Sequence, residues 1–166
     1  IIEDKRDSFG TTIILYLNDE GKEYASRWQI EQIVKKYSNH IPFPIFLHYE
    51  EASKEKDKKV NQKIEQINSA SAFWKGSKSQ LKKKDYNTFY KSISNDSEDC
   101  LLYLHTQAEG TLDYTTLFFV PKKAPYDMYQ PDYKPGVKLY VKRVYITDDE
   151  KELLPTYLRF IRGVID

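Results

Sequence analysis

The 166 residues contain a single cysteine, Cys100, so no disulfide can form within the chain. A lone thiol fits a reducing compartment and points to a cytoplasmic setting. No apolar run approaches the ~20 residues that a membrane span requires. The opening segment, Ile1-Ile2-Glu3-Asp4-Lys5-Arg6-Asp7, lacks the apolar core of an export signal. It also lacks an initiating methionine, which suits an internal piece of a longer protein. Glycine is scarce at six residues, and none is grouped into a phosphate-cradling loop, a GxGxxG or a GxSxG. HExxH is absent too. His40, His48 and His105 have no cysteine or histidine at metal-ligand spacing and read as ordinary sheet or loop residues. Cys100 follows Asp99, whose charge raises a thiol pKa and so makes a poor nucleophile. The residues give no catalytic, cofactor-binding or metal site.

Charge is balanced at +1 overall but not along the chain, since eleven lysines face six acids between Glu50 and Lys91. A lysine-rich block attracts polyanions, and an RNA-binding module with a lysine-rich surface is the rival reading. Against it, arginine, the better bidentate phosphate ligand, is absent from the block. Few rings precede Tyr86 to stack on bases. A solvated loop or helix face explains the block without any nucleic acid, and no specific nucleic-acid partner is expected.

What is present is a chain with 14% aromatic and 40% hydrophobic residues, enough to fill a real core. Its periodicity changes several times. Gly10 to Leu17 alternates as a strand, apolar on both faces. A breaker at Asn18-Asp19-Glu20-Gly21 is the best linker candidate. Tyr24, Trp28, Ile30, Ile33, Val34 and Tyr37 then predict a helix capped near Asn18 or Asp19 and ending at Ser38-Asn39-His40. Phe43, Ile45, Leu47 and Tyr49 alternate as a strand, and the charged stretch from Glu50 to Lys59 reads as a solvated tip. Val60 to Ile67 fits either a helix turn or the return strand of a hairpin. Tyr86, Phe89, Tyr90 and Ile93 stand at i, i+3, i+4 and i+7, a helix stripe.

Three strand-like runs follow, Leu101 to Thr106, Asp113 to Val120 and Val137 to Ile146, the first two joined by a turn at Glu109-Gly110. Four of the seven prolines fall between Pro121 and Gly136, so that stretch must be an irregular connection. Its length hints at function. Thr147-Asp148-Asp149-Glu150 matches a capping box, predicting a short helical turn before Leu154. A second helix is expected from Pro155 to about Arg162, closed by Gly163.

Several segments, in order, resemble the heat-shock protein 90 chaperone family. Phe9-Gly10-Thr11-Thr12-Ile13-Ile14-Leu15-Tyr16-Leu17 is similar to the last strand of its ATP-binding domain. Ile33-Val34-Lys35-Lys36-Tyr37-Ser38-Asn39-His40-Ile41-Pro42-Phe43-Pro44-Ile45 resembles the opening helix and strand of its middle domain. Ile67-Asn68, Trp74, Tyr86 through Ser94 with Phe89-Tyr90-Lys91, Glu109-Gly110, Pro121 to Met128, Lys138 to Ile146 and Leu153 to Asp166 continue the likeness over almost the whole chain. The short tip at Glu50 to Lys59 is similar to the bacterial branch.

The resemblance implies an α/β (α+β) fold, a layered α-β-α sandwich resembling the second domain of ribosomal protein S5. It implies that Val60 to Ile67 is a strand, that residues 1–18 are the end of the ATP-binding domain and linker, and that 19–166 open the middle domain. It also implies an ATP-driven chaperone for protein folding and stress response, whose partners are unfolded or partly folded clients. The other expected partners are the chain's own ATP-binding domain and a second copy, joined through a domain absent here. ATP and magnesium are implied for the full-length protein, with the pocket upstream of Ile1 and the arginine that reaches ATP beyond Asp166. No cofactor is expected in this piece, and no activity of its own. Ser97 departs from the eukaryotic pattern, which has a client-contacting tryptophan there, and Cys100 stands where proline is common. Docking or client contact is assigned to Trp74 and to Pro125, Tyr126, Asp127, Met128 and Tyr129. For Trp74 the competing role is a core anchor, and for the connection it is packing.

Overall fold

The computed structural model describes residues 9–51, 61–111, 113–126, 128–130, 133–150 and 152–166. It is a mixed α and β structure with a two-stranded and a five-stranded sheet. The expected strand at Gly10 to Leu17 belongs to no ladder among the described residues, and Ile13, Ile14, Leu15 and Tyr16 are exposed. An alternating pattern makes a strand only where a neighbour supplies hydrogen bonds.

The expected first helix divides in two. A 3-10 helix, Glu20–Ala25, opens where Asn18 Oδ1 accepts the Gly21 amide at 2.8 Å. Helix α1, Arg27–Tyr37, begins only at Ser26, whose hydroxyl accepts the Gln29 amide. Ser26 has an extended ψ of 140°, and its short side chain caps better than it continues a helix. After α1, β1 (Phe46–Glu51) and β2 (Asn61–Gln66) pair antiparallel, which settles the described part of Val60 to Ile67 as a hairpin strand. Val60 itself and most of the charged tip lie outside the described residues. Buried Asn68 fastens the loop into β1: it accepts the Ile45 amide at 2.8 Å and donates to the Phe43 carbonyl at 2.9 Å.

Helix α2, Lys83–Ser94, is the predicted one, closed by Asn95 in the left-handed conformation. It lies on the larger sheet, formed by β3 (Leu102–Ala108), β4 (Tyr114–Val120), β5 (Gly136–Val141), β6 (Val144–Thr147) and β7 (Arg162–Ile165). Their order is β3-β4-β7-β5-β6, antiparallel except for the β7–β5 pair. Tyr86 stacks on Tyr103 at 4.0 Å and Tyr90 meets Phe119 at 5.4 Å, with Leu117 and Val164 buried on the same face. The opposite face leaves Leu102 and Leu104 exposed.

Two expectations fail in this sheet. Val137 to Ile146 is not one strand but the β5–β6 hairpin, turning at Lys142 and Arg143, both with positive φ (51° and 67°). Such a turn usually announces itself by glycine or asparagine, and here it has neither. The helix expected from Pro155 to Arg162 shrinks to a 3-10 turn, Thr156–Leu158, and Gly163 lies inside β7 instead of closing a helix. Thr147 ends β6 and its hydroxyl accepts the Asp149 amide, and among the described residues no helix follows directly on the acids.

Candidate docking surface

The Trp74 assignment is corrected by burial. Trp74 is 0% exposed, in the 3-10 turn Phe73–Lys75, with rings of His40 and Tyr140 each 4.8 Å away. It has no surface to offer a client and acts as a core anchor. Its indole N–H donates at 2.9 Å to Asp166 Oδ2, and Lys75 Nζ lies 3.4 Å from the same oxygen. Asp166 Oδ1 accepts the Arg143 amide at 3.0 Å, which ties the left-handed β5–β6 turn to the last strand. The Asp166 side chain is 1% exposed. Burial alone would lift its carboxyl, but the Trp74 N–H, the Arg143 amide and Lys75 outweigh that and hold it below the ordinary range. Nothing in the local sequence marks Asp166 as this hub, because its partners are 92, 91 and 23 residues away.

The histidines beside this core are structural. His105 Nε2 donates to the Trp74 carbonyl at 2.8 Å, leaving Nδ1 to accept the Tyr86 hydroxyl at 2.9 Å. His40 Nδ1 donates to the Ser71 carbonyl at 2.9 Å. Burial lowers both pKa values below the usual 6.5. The unfolded chain therefore takes up these protons first, and folded stability falls as pH drops below about 6.5. We expect a lower urea midpoint at about pH 5.5 than at about pH 7.5, with a shallower slope in His105→Gln. Cys100 is buried against Asn87, and burial first, with Asp99 adding, pushes its thiol up. Among the described residues no three of His, Cys, Asp and Glu come together to hold a metal.

The lysine block offers RNA little to stack on. Between residues 61 and 91 every ring, from Phe73 to Tyr90, is buried or half-buried. Lys75 and Lys91 are paired with Asp166 and Asp99.

The connection after β4 is irregular, as expected from its prolines, and its residues are spread over different roles. Pro125 and Met128 are half-buried and closed into a turn by the Met128 amide on the Pro125 carbonyl, at 3.2 Å. Tyr126 is 98% exposed and Tyr129 80%. Asp127 lies outside the described residues. Further along, Tyr133 donates its hydroxyl to the Arg159 carbonyl at 3.1 Å. The Arg159 guanidinium lies 5.3 Å from the Tyr129 ring and 6.0 Å from that of Tyr133, and Arg162 lies 5.5 Å from Tyr133. Both arginines fall in the stretch expected to be a helix from Pro155 to about Arg162, and no local signal ties them to the connection.

Comparison with known proteins gives one consistent result. The family model described as Hsp90 protein matches residues 48–166. The chaperone protein HtpG of Treponema denticola is 64% identical over 160 residues, covering 95% of this chain and 25% of that protein. The HtpG of Helicobacter pylori is 57% identical over 171 residues, covering all of this chain and 28% of the relative. The chain thus spans about a quarter of the length of the curated relatives it matches. Among solved structures, the middle domain of a Plasmodium falciparum heat-shock protein superposes with a TM-score of 0.53 at 33% identity, covering 57% of this chain and 40% of that one.

Proposed function

Since the chain belongs to the heat-shock protein 90 family and is a chaperone segment of the bacterial HtpG type, we propose that its exposed connection docks the ATP-binding domain of the longer protein. In this reading residues 1–18 close that ATP-binding domain and 19–166 open the middle domain. The longer protein is a cytoplasmic homodimer that binds ATP with magnesium outside this segment and acts on unfolded or partly folded clients. Among the described residues no helix is long and apolar enough to cross a membrane.

The observation that carries the docking proposal is Tyr126, 98% exposed on irregular backbone one step past half-buried Pro125. An exposed aromatic on a proline-braced loop gives a partner a large rigid contact at small entropic cost. If its ring is covered only in the closed state, it stabilises closure without touching nucleotide. Burial of such a side chain is worth ~1.5 to 3 kcal/mol, so its loss shifts the closing equilibrium roughly tenfold or more. In the full-length protein Tyr126→Ala should slow ATP turnover by about that factor and leave nucleotide affinity nearly unchanged. The isolated chain should melt as before, because Tyr126 buries almost nothing in its own domain. Unchanged turnover in the variant counts against docking at Tyr126.

A further inference from the structure

Beside the connection lies a cavity of about 170 Å³, lined by Tyr133, Pro135, Val137, Leu153 and Leu154, with Glu150 and Arg159 among its polar neighbours. A void near 150 Å³ accommodates a benzene-sized group, so this one takes one aliphatic or small aromatic side chain. Arg159 on its wall has its guanidinium 5.3 Å from the Tyr129 ring and 6.0 Å from that of Tyr133, and its peptide carbonyl accepts the Tyr133 hydroxyl. Among the described residues its guanidinium meets no carboxylate and donates no hydrogen bond. A guanidinium held by rings keeps its in-plane N–H fork for an oxyanion. Donors with no acceptor among the described residues, next to a largely apolar pocket, suit a ligand with both features.

We propose that this cavity binds an acidic–apolar segment of a partner polypeptide: an aliphatic side chain fills the void and an adjacent carboxylate pairs with Arg159. Glu150, whose Oε1 accepts the Glu152 amide at 3.3 Å, faces the same space and opposes a doubly charged phosphate more than a single carboxylate. Tyr126 is not part of the lining, so this site stands or falls apart from the docking proposal.

The test uses this chain, isotopically labelled, titrated with capped hexapeptides followed by NMR. The probes are Gly-Ser-Leu-Glu-Ser-Gly, the same peptide with Gln for Glu, with Ser for Leu, and with phosphoserine for Glu, together with inorganic phosphate. The Leu-Glu peptide should shift the Leu153 and Leu154 methyls and the Arg159 Nε–H. Both the Gln and the Ser versions should bind at least about tenfold more weakly. Arg159→Lys, which keeps the charge and the stem, should lose the same factor with melting unchanged. Equal affinity for the Glu and Gln peptides, or no shifts at these residues by ~1 mM, overturns the proposal. Tighter binding of phosphoserine peptide or of phosphate alone overturns the carboxylate assignment. The wild-type series decides the matter even if the lysine variant folds poorly.

Discussion

Replacing Asp166 by alanine should cost this fold about 2 to 5 kcal/mol, the summed penalty for leaving its buried and half-buried N–H donors without an acceptor. The variant leaves the Trp74 indole N–H buried without its acceptor. It also strips Lys75 of its counter-ion and frees the Arg143 amide that holds a left-handed turn. The backbone pairing of residue 166 with Thr115 is untouched, so β7 keeps its register and the loss reports the side chain. Asp166→Asn retains an acceptor but no charge, and should lose roughly half as much. Urea denaturation with an unchanged m-value would show both effects, and midpoints within about 0.5 kcal/mol of the parent would refute the hub.

The same carboxyl sets the behaviour in acid. Its folded pKa lies below the 3.8 of the free side chain, so its contribution is complete above that value. It fades as pH falls through the lower, folded value, beneath the window in which His40 and His105 act.

Gly163→Ala should be about as severe. A Cβ on residue 163 would stand 2.2 Å from the Leu117 carbonyl oxygen and 3.0 Å from the Phe118 Cα. Both are backbone atoms of β4, the strand to which β7 is paired, so neither can swing aside. Its φ of +155° is also one that side-chain-bearing residues seldom adopt. Strain and overpacking together predict a loss of about 3 to 5 kcal/mol, seen as a melting point lower by roughly 10 °C or more. Gly110→Ala is the control, since nothing lies within 4 Å of its would-be Cβ. It should stay within about 0.5 kcal/mol of the parent. Similar melting of the two alanine variants would contradict the close β4–β7 approach.

How far the sequence disclosed this structure depends on the range of the forces at each place. Helix α2 was legible because Tyr86, Phe89, Tyr90 and Ile93 carry its whole pattern within eight residues. The exposed connection was legible from its prolines. Gly163 was misread because a glycine after an apolar run looks the same whether it ends a helix or admits a neighbouring strand. The β5–β6 turn was invisible because its stabiliser, Asp166, lies 23 residues downstream of Arg143. Trp74 shows the limit for the site itself: its residue type suits a contact surface and a core equally, and only three-dimensional packing separates them. Arg159 and its tyrosines come together solely through the tertiary fold.

The place of β7 in the sheet has a consequence for synthesis on the ribosome. The hairpins β3–β4 and β5–β6 can each close soon after they emerge, since their partners are near in sequence. The strand that joins them into one sheet is the last to be made of the seven among the described residues. At ~5 to 20 residues per second, the interval between Val120 and Arg162 is a few seconds. For that time β4, joined by β5 once it is made, presents an open edge on a nascent chain. The segment therefore passes through a stage in which it has the unpaired strands of an unfolded protein, and its own emergence calls for protection until Gly163 slides in beside Phe118.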